Sequence, residues 1–254
     1  MSKVKLEDLL AAGCHFGHLT SRWNPKMKSY IFMEKNGIHV LDLKKTAEKL
    51  TEACDEIEKI AAKGGNLLYV GTKKQAQDLI ESEATRSNNF FVKERWLGGT
   101  LTNFATVRKS VRKLKGLEKK AVDGTYEKIT KKEILDIDRQ KEKMSKVLGG
   151  IAAMKRIPSA MFVIDTNKEQ IAIMEAKKLK VPVFAIVDTN SDPTLVDFPI
   201  PANDDASKSI SIITKMITEA FISGASKVKA KKSDEDAEAP KKAEKVKEDI
   251  SEDA

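Results

Sequence analysis

The sequence predicts an α/β protein: a largely parallel sheet covered by helices on both faces, with an antiparallel helical hairpin inserted into it. Three observations carry that prediction. Short β-branched runs alternate with amphipathic stretches along most of the chain. Phe184-Ala185-Ile186-Val187 is apolar at every position, as a strand buried on both faces requires. Between Phe104 and Leu148 the alternation gives way to two helices joined by a polar turn. At 254 residues and 41% apolar content, the chain can hold one sizeable α/β domain plus an accessory element.

Taken in order, Met1 to Leu10 reads as a charged amphipathic helix rather than an export signal. Ile38 to Leu43, Asn66 to Val70, Phe90 to Val92, Met161 to Ile164 and Val183 to Val187 read as strands. Thr46 to Lys63, Lys73 to Arg86, Lys168 to Leu179 and Ala206 to Ser223 read as helices. No apolar run is long enough for a membrane span, so no membrane partner is expected. Cys14 and Cys54 form no close pair for metal or redox chemistry, which fits a reducing, cytoplasmic setting.

The hairpin holds most of the charge. Its 45 residues carry 14 Lys/Arg against 7 Asp/Glu, a net +7 in a chain of +8. Phe104, Val107, Val111 and Leu114 are spaced by 3, 4 and 3, a narrow seam along one side of a helix. Arg108, Lys109, Arg112, Lys113 and Lys115 take the remaining surface, and no acid precedes Glu118 to neutralise them. Ile134, Ile137, Met144, Leu148 and Ile151 make a matching stripe on the second helix, interrupted by Lys141. Asp123-Gly124 signals the turn, and Gly149-Gly150 with Pro158 marks the return to the body. A cationic rod suits a polyanion, because neutralised phosphates release counterions; a solvated hairpin without a ligand is the plainer alternative. Residues 225–254 hold 8 Lys against 9 Asp/Glu and almost no large apolar side chain, which reads as a mobile charged tail. The expected division is a body over 1–103 and 154–224, an inserted hairpin over 104–153 and that tail.

In a parallel sheet, ligands sit beyond the carboxyl ends of the strands. Those ends read Val70-Gly71-Thr72-Lys73-Lys74, Ile164-Asp165-Thr166-Asn167 and Val187-Asp188-Thr189-Asn190. The Gly71 to Lys74 turn offers backbone N–H groups and cations to a phosphate but lacks Walker spacing, so a nucleotide- or phosphate-binding enzyme stands only as the alternative function. His18 with Asp188, Asp204 or Asp205 would make a small N/O site for one zinc or magnesium ion; the alternative is that His18 braces the N-terminal segment through a carboxylate. No nucleophile, base and orienting group can be assembled, and no cofactor is required.

Leu9-Leu10-Ala11-Ala12-Gly13-Cys14-His15-Phe16-Gly17-His18, the stretch from Ser21-Arg22-Trp23-Asn24-Pro25-Lys26-Met27 to Asp42, Arg95-Trp96-Leu97-Gly98-Gly99-Thr100-Leu101-Thr102-Asn103, and Val183 to Asp188 through Ile200-Pro201-Ala202-Asn203-Asp204-Asp205-Ala206 stand in the order of a known family. Over about residues 6–224 the chain resembles the bacterial small-ribosomal-subunit protein S-two family. The resemblance implies a three-layer α/β sandwich with a five-stranded parallel sheet of flavodoxin/Rossmann type and a protruding coiled-coil hairpin. It also implies a non-enzymatic place on the small ribosomal subunit, bound to 16S rRNA between head and body, recruiting the mRNA-binding protein S-one for translation initiation, with no small-molecule substrate. On this chain the rRNA-binding candidates are Arg22, Trp23, Asn24, Lys26 and Lys28 in an extended basic segment, Lys73 and Lys74 at the turn, Arg95 at the arm's root, and Arg108, Lys109, Arg112 and Lys113 along its first helix. Trp23 reads equally as a core anchor, and Trp96 as packing between arm and body.

Overall fold

A computed structural model of the chain describes residues 5–122 and 130–228. Among these, five strands form the central parallel sheet: β4 (Leu67–Val70), β5 (Phe90–Val92), β6 (Ala160–Ile164), β7 (Val183–Val187) and β8 (Phe198–Pro201). They lie side by side in the order β5-β4-β6-β7-β8. The chain moves outward from β4 to β5, then crosses back over β4 to β6 and continues the other way. The topological switch point therefore lies between β4 and β6, where loops at the carboxyl ends diverge and leave a crevice.

The period of two along each strand divides the core. Leu67, Tyr69, Phe162, Ile164, Phe184 and Ile186 share one apolar cluster with α2 (Leu43–Ala62), α3 (Lys74–Arg86) and a helix over 207–228. Leu68, Val70, Met161, Val163, Val183, Ala185 and Val187 enter a second cluster on the opposite face, shared with Ala172, Ile173 and Ala176 of α6 (Gln170–Lys178). Both faces are covered, as the fully apolar β6 and β7 demand. In α2 the buried Leu50, Ala53, Cys54, Ile57 and Ala61 recur at helical spacing, and the Asp42 side chain caps its start by accepting from Lys44 N at 3.0 Å. Cys14 and Cys54 are free thiols, both buried.

Two departures from the expected strands have local causes. Ile38 to Leu43 does not join the parallel sheet; β3 (Ile38–Leu41) pairs antiparallel with β1 (Phe16–Leu19) and β2 (Ile31–Lys35) in a separate three-stranded sheet. The β2–β3 hairpin turns on Asn36-Gly37, both at positive φ (55° and 73°), as a tight primed turn requires. The fifth parallel strand is instead β8, whose Phe-Pro-Ile-Pro sequence hides it. Proline cannot donate to a ladder, and β8 sits at the edge with β7 as its one neighbour in the sheet. At the amino end, helix α1 is confined to Leu6–Ala11 among the described residues.

The two arm helices are α4 (Phe104–Val122) and α5 (Lys131–Leu148). Thr130 and Glu133 form a reciprocal capping box at the start of α5. The expected turn at Asp123-Gly124 and most of the expected tail, from residue 229 onward, lie outside the described residues. The second cluster contains Val107, Val111 and Leu114 from α4 and Leu148 and Ile151 from the return, with Phe104 and Met144 packed against it. The arm's root is therefore part of the core, with the start of α4 and the end of α5 meeting over the same face of the sheet.

Gly150 lies where the returning chain passes β5: a Cβ there would stand 2.1 Å from the Phe91 carbonyl oxygen. Gly150→Ala should therefore cost about 1–3 kcal/mol of stability through forced backbone displacement. Gly98→Ala, whose Cβ would meet nothing within 4 Å, should be near neutral. Thermal unfolding of the two variants checks this, and equal melting temperatures would contradict it.

Candidate nucleic-acid interface

The chain leaves the body through Trp96 to Asn103, and one carboxylate organises that exit. Glu175, on the inward face of α6, accepts from Trp96 Nε1 at 3.1 Å and Gly99 N at 2.7 Å through Oε1. Its Oε2 accepts from Leu101 N at 2.9 Å, Thr102 N at 3.0 Å and Thr102 Oγ1 at 3.1 Å. Burial opposes the charge, but these donors, with Thr102 N foremost, outweigh it and hold the Glu175 pKa below the ordinary glutamate range. Gly99, at φ +88°, is the residue that lets the loop wrap the carboxylate. Gly98 is not in the left-handed region, so of the adjacent Gly98 and Gly99 only Gly99 is required by its backbone.

From this root α4 presents its cations. Val107, Val111 and Leu114 face inward, while Lys109, Arg112, Lys113 and Lys115 are exposed and Arg108 is half-buried. Arg108 donates from Nη1 to the Lys155 carbonyl at 2.8 Å, and Arg112 Nε to the Arg108 carbonyl at 3.4 Å. Among the described residues no carboxylate pairs with any of these five cations. On α5, by contrast, Arg139, Lys141 and Lys146 lie within reach of Asp136, Asp138 and Glu142. The two helices differ in degree: α4 offers open positive charge, while α5 has three of its six cations paired with acids on the same helix.

The expected basic segment divides. Arg22 and Lys28 are exposed. Lys26 instead reaches Asp192 at 2.6 Å and Thr194 at 3.2 Å. Asn24 is a structural cap: its side chain accepts from Lys26 N at 3.0 Å and its own N–H donates to the Thr189 carbonyl at 2.8 Å. Trp23 is half-buried with its ring 5.2 Å from that of His39. Arg95 and Lys74 are exposed, and Trp96 is buried at the root.

At the carboxyl ends of the strands the loops converge on an ionic cluster. Lys73 Nζ lies 3.0 Å from Asp165, 2.7 Å from Asp204 and 2.9 Å from Asp205. Burial alone would lower the Lys73 pKa; the surrounding carboxylates, led by Asp204, reverse that and raise it. Three acids already surround the Lys73 ammonium, so of the two lysines expected to meet a phosphate Lys74 is the more open. His18 Nδ1 sits 3.0 Å from Asp188 and its Nε2 3.3 Å from Asp205. The contact with Asp188 raises the His18 pKa against the effect of burial. Asp204 is fully buried, and burial followed by the charge of Asp188 pushes its carboxyl up to about 7 despite Lys73. His18, Asp188 and Asp204 each bring a ligand atom within 4.8 Å of the others, and Asp204 Oδ2 has no hydrogen-bond partner.

The family model described as Ribosomal protein S2 matches residues 9–224. Proteins named Small ribosomal subunit protein uS2 are similar along nearly the whole chain. That of Cytophaga hutchinsonii is 56% identical over 248 residues, covering 96% of this chain and 98% of its own length. That of Chlorobium chlorochromatii is 55% identical over 222 residues (87% and 88%), and that of Chloroherpeton thalassium 54% over 239 residues (94% of each). The chain belongs to the ribosomal protein S2 family, a family of ribosomal proteins and not of enzymes. The enzymatic alternative at the Gly71 to Lys74 turn is thereby set aside.

Glu175→Gln replaces one accepting oxygen with a donor facing N–H groups and should cost about 3 kcal/mol, as hydrogen bonds to a buried charge are lost. Because the native carboxyl titrates below its unfolded value, its stabilisation is complete above the ordinary glutamate pKa and is lost as pH falls through the depressed one. Thermal unfolding between pH 3 and 7 should show a steeper acid loss in the native chain than in Glu175→Gln; parallel curves would contradict the role given to Glu175.

Proposed function

We propose that this chain is a structural constituent of the small ribosomal subunit that binds 16S rRNA between head and body and supports recruitment of protein S-one and mRNA. The observation that carries the RNA-binding part is the open cationic face of α4, held at a fixed exit by the Glu175 network. Arg108, Lys109, Arg112 and Lys113 are the phosphate ligands on the arm. Arg22, Lys28, Lys74 and Arg95 extend the positive surface over the body, with Trp23 beside them as a stacking platform for an unpaired base. Such contacts position a protein on folded RNA without reading much sequence. The hairpin acts as a coiled-coil rod reaching between rRNA helices, the body receives protein partners, and the protein works in the cytoplasm as part of the subunit. The names of the similar proteins support the setting; the rRNA contacts rest on the charge pattern.

A second reading concerns a metal. The donor set of one imidazole and two carboxylates suits zinc better than magnesium, which favours an all-oxygen octahedron. The unpartnered Asp204 Oδ2 is the atom a cation would satisfy. His18, Asp188 and Asp204 would hold the ion, with Asp205 beside them, and it would supply a fixed cross-link between the N-terminal segment and the loops after β7 and β8. Lys73 already pairs with Asp204 and Asp205 of this set.

Replacing Arg108, Lys109, Arg112 and Lys113 with Glu should leave the body folded, as judged by thermal unfolding, yet shift the chain from the small-subunit fraction to the top of a sucrose gradient. The native chain should co-sediment at moderate salt and dissociate at high salt, with a log–log slope of roughly 0.7–0.9 per phosphate contact. Undiminished co-sedimentation of the folded variant would count against the arm. For the metal, elemental analysis of the purified chain should find about one zinc, lost in His18→Ala; equal content in both would remove the site.

A further inference from the structure

The switch-point crevice forms a cavity apart from the ionic cluster, beside the root of the arm. Thr72 after β4, Glu94 to Trp96 after β5, and Lys168, Glu169 and Ile171 after β6 line an open cavity of about 320 Å³, at the place where open parallel sheets bind ligands. Glu169, buried to within 3% of complete, lines it. Glu169 Oε1 accepts from Thr72 N at 3.2 Å and Thr72 Oγ1 at 2.5 Å, while Oε2 takes no hydrogen bond among the described residues. Lys168 Nζ donates to the Thr72 carbonyl at 3.0 Å and closes one side. Arg95 stands exposed at the mouth with Glu94 beside it, and Ile171, 59% exposed, forms an uncovered apolar wall next to Trp96.

Arg95 at the mouth, an open carboxylate oxygen inside and the apolar surfaces of Ile171 and Trp96 between them match what one nucleotide presents: an anionic phosphate, a donating base edge and a flat base. Resting on the RNA-binding reading above, we infer that this crevice takes a single unpaired guanosine of RNA, its N1–H and N2–H donating to Glu169 Oε2 and its phosphate meeting Arg95.

The choice of base follows from lone pairs. A carboxylate oxygen only accepts, and guanine alone sets two donors side by side on its Watson–Crick edge. Adenine and cytosine place a ring acceptor beside their amino group, and uracil flanks its single N–H with two carbonyls, so each of these turns lone pairs toward the carboxylate. Burial raises the Glu169 pKa, and the Thr72 hydrogen bonds act against it. Reading a splayed base this way is the common mode of sequence-specific RNA recognition.

The test uses small subunits reconstituted with the full chain and probed with kethoxal, which modifies guanine at N1 and N2. Subunits carrying the native chain should protect one guanine that becomes on the order of tenfold more reactive with Glu169→Gln, the scale of one lost hydrogen bond to a charged acceptor. Ile171→Trp, which fills the crevice from an exposed position and so spares the core, should expose the same guanine. Normal incorporation of both variants with unchanged kethoxal patterns would overturn the site while leaving RNA binding by the arm intact. Failure of the native chain to enter subunits would overturn the parent reading and this one with it. Saturable binding of free guanosine monophosphate to the chain, with rRNA reactivity unchanged, would contradict an RNA-borne ligand.

Discussion

Where the arm leaves the body is decided by five hydrogen bonds to one carboxylate. Glu175 gathers the donors of Trp96, Gly99, Leu101 and Thr102 around its two oxygens. An isolated buried charge is costly, whereas one with its lone pairs filled binds its loop to the helix that carries it. The loop is otherwise a run of turns without a ladder or helix to hold it. Because α4 begins immediately after it, any slack there would be multiplied along a helix of 19 residues.

The second consequence is that the arm is continuous with the core. Val107, Val111, Leu114 and Leu148 pack into the same cluster as Met161, Val163 and Ala185 of the sheet. The first turns of α4 thus complete the helical layer that α6 alone leaves unfinished. A free hairpin would pay conformational entropy for every orientation it gave up on binding RNA. Here much of that freedom is already removed at the root, so the cations of α4 are arranged by the fold itself.

Much of this was legible in the sequence. The continuous apolar runs identified β6 and β7, and the 3, 4, 3 spacing from Phe104 to Leu114 identified the inward side of α4. What stayed hidden has physical reasons. β8 reads as a loop because Pro199 and Pro201 mask an edge strand, and Ile38 to Leu41 carries a strand signature that does not say which sheet it joins. Lys73 looked like a phosphate ligand because its partners Asp204 and Asp205 lie more than 130 residues away and only the fold assembles them. Glu175 left a trace that could have been read: an acid between the buried Ile173 and Ala176, on the apolar side of an amphipathic helix, needs a partner. Glu169 left none beyond its position after a strand.

A buried carboxylate aims a cationic helix, and the function proposed for that helix is to meet phosphate. A density map of the small subunit assembled with this chain tests the join most directly. The predicted result is α4 leaving the body along the direction set by the Glu175 loop, with Arg108, Lys109, Arg112 and Lys113 within hydrogen-bonding distance of rRNA phosphates. A map in which that face of α4 points into solvent, with the Glu175 loop intact, would contradict it.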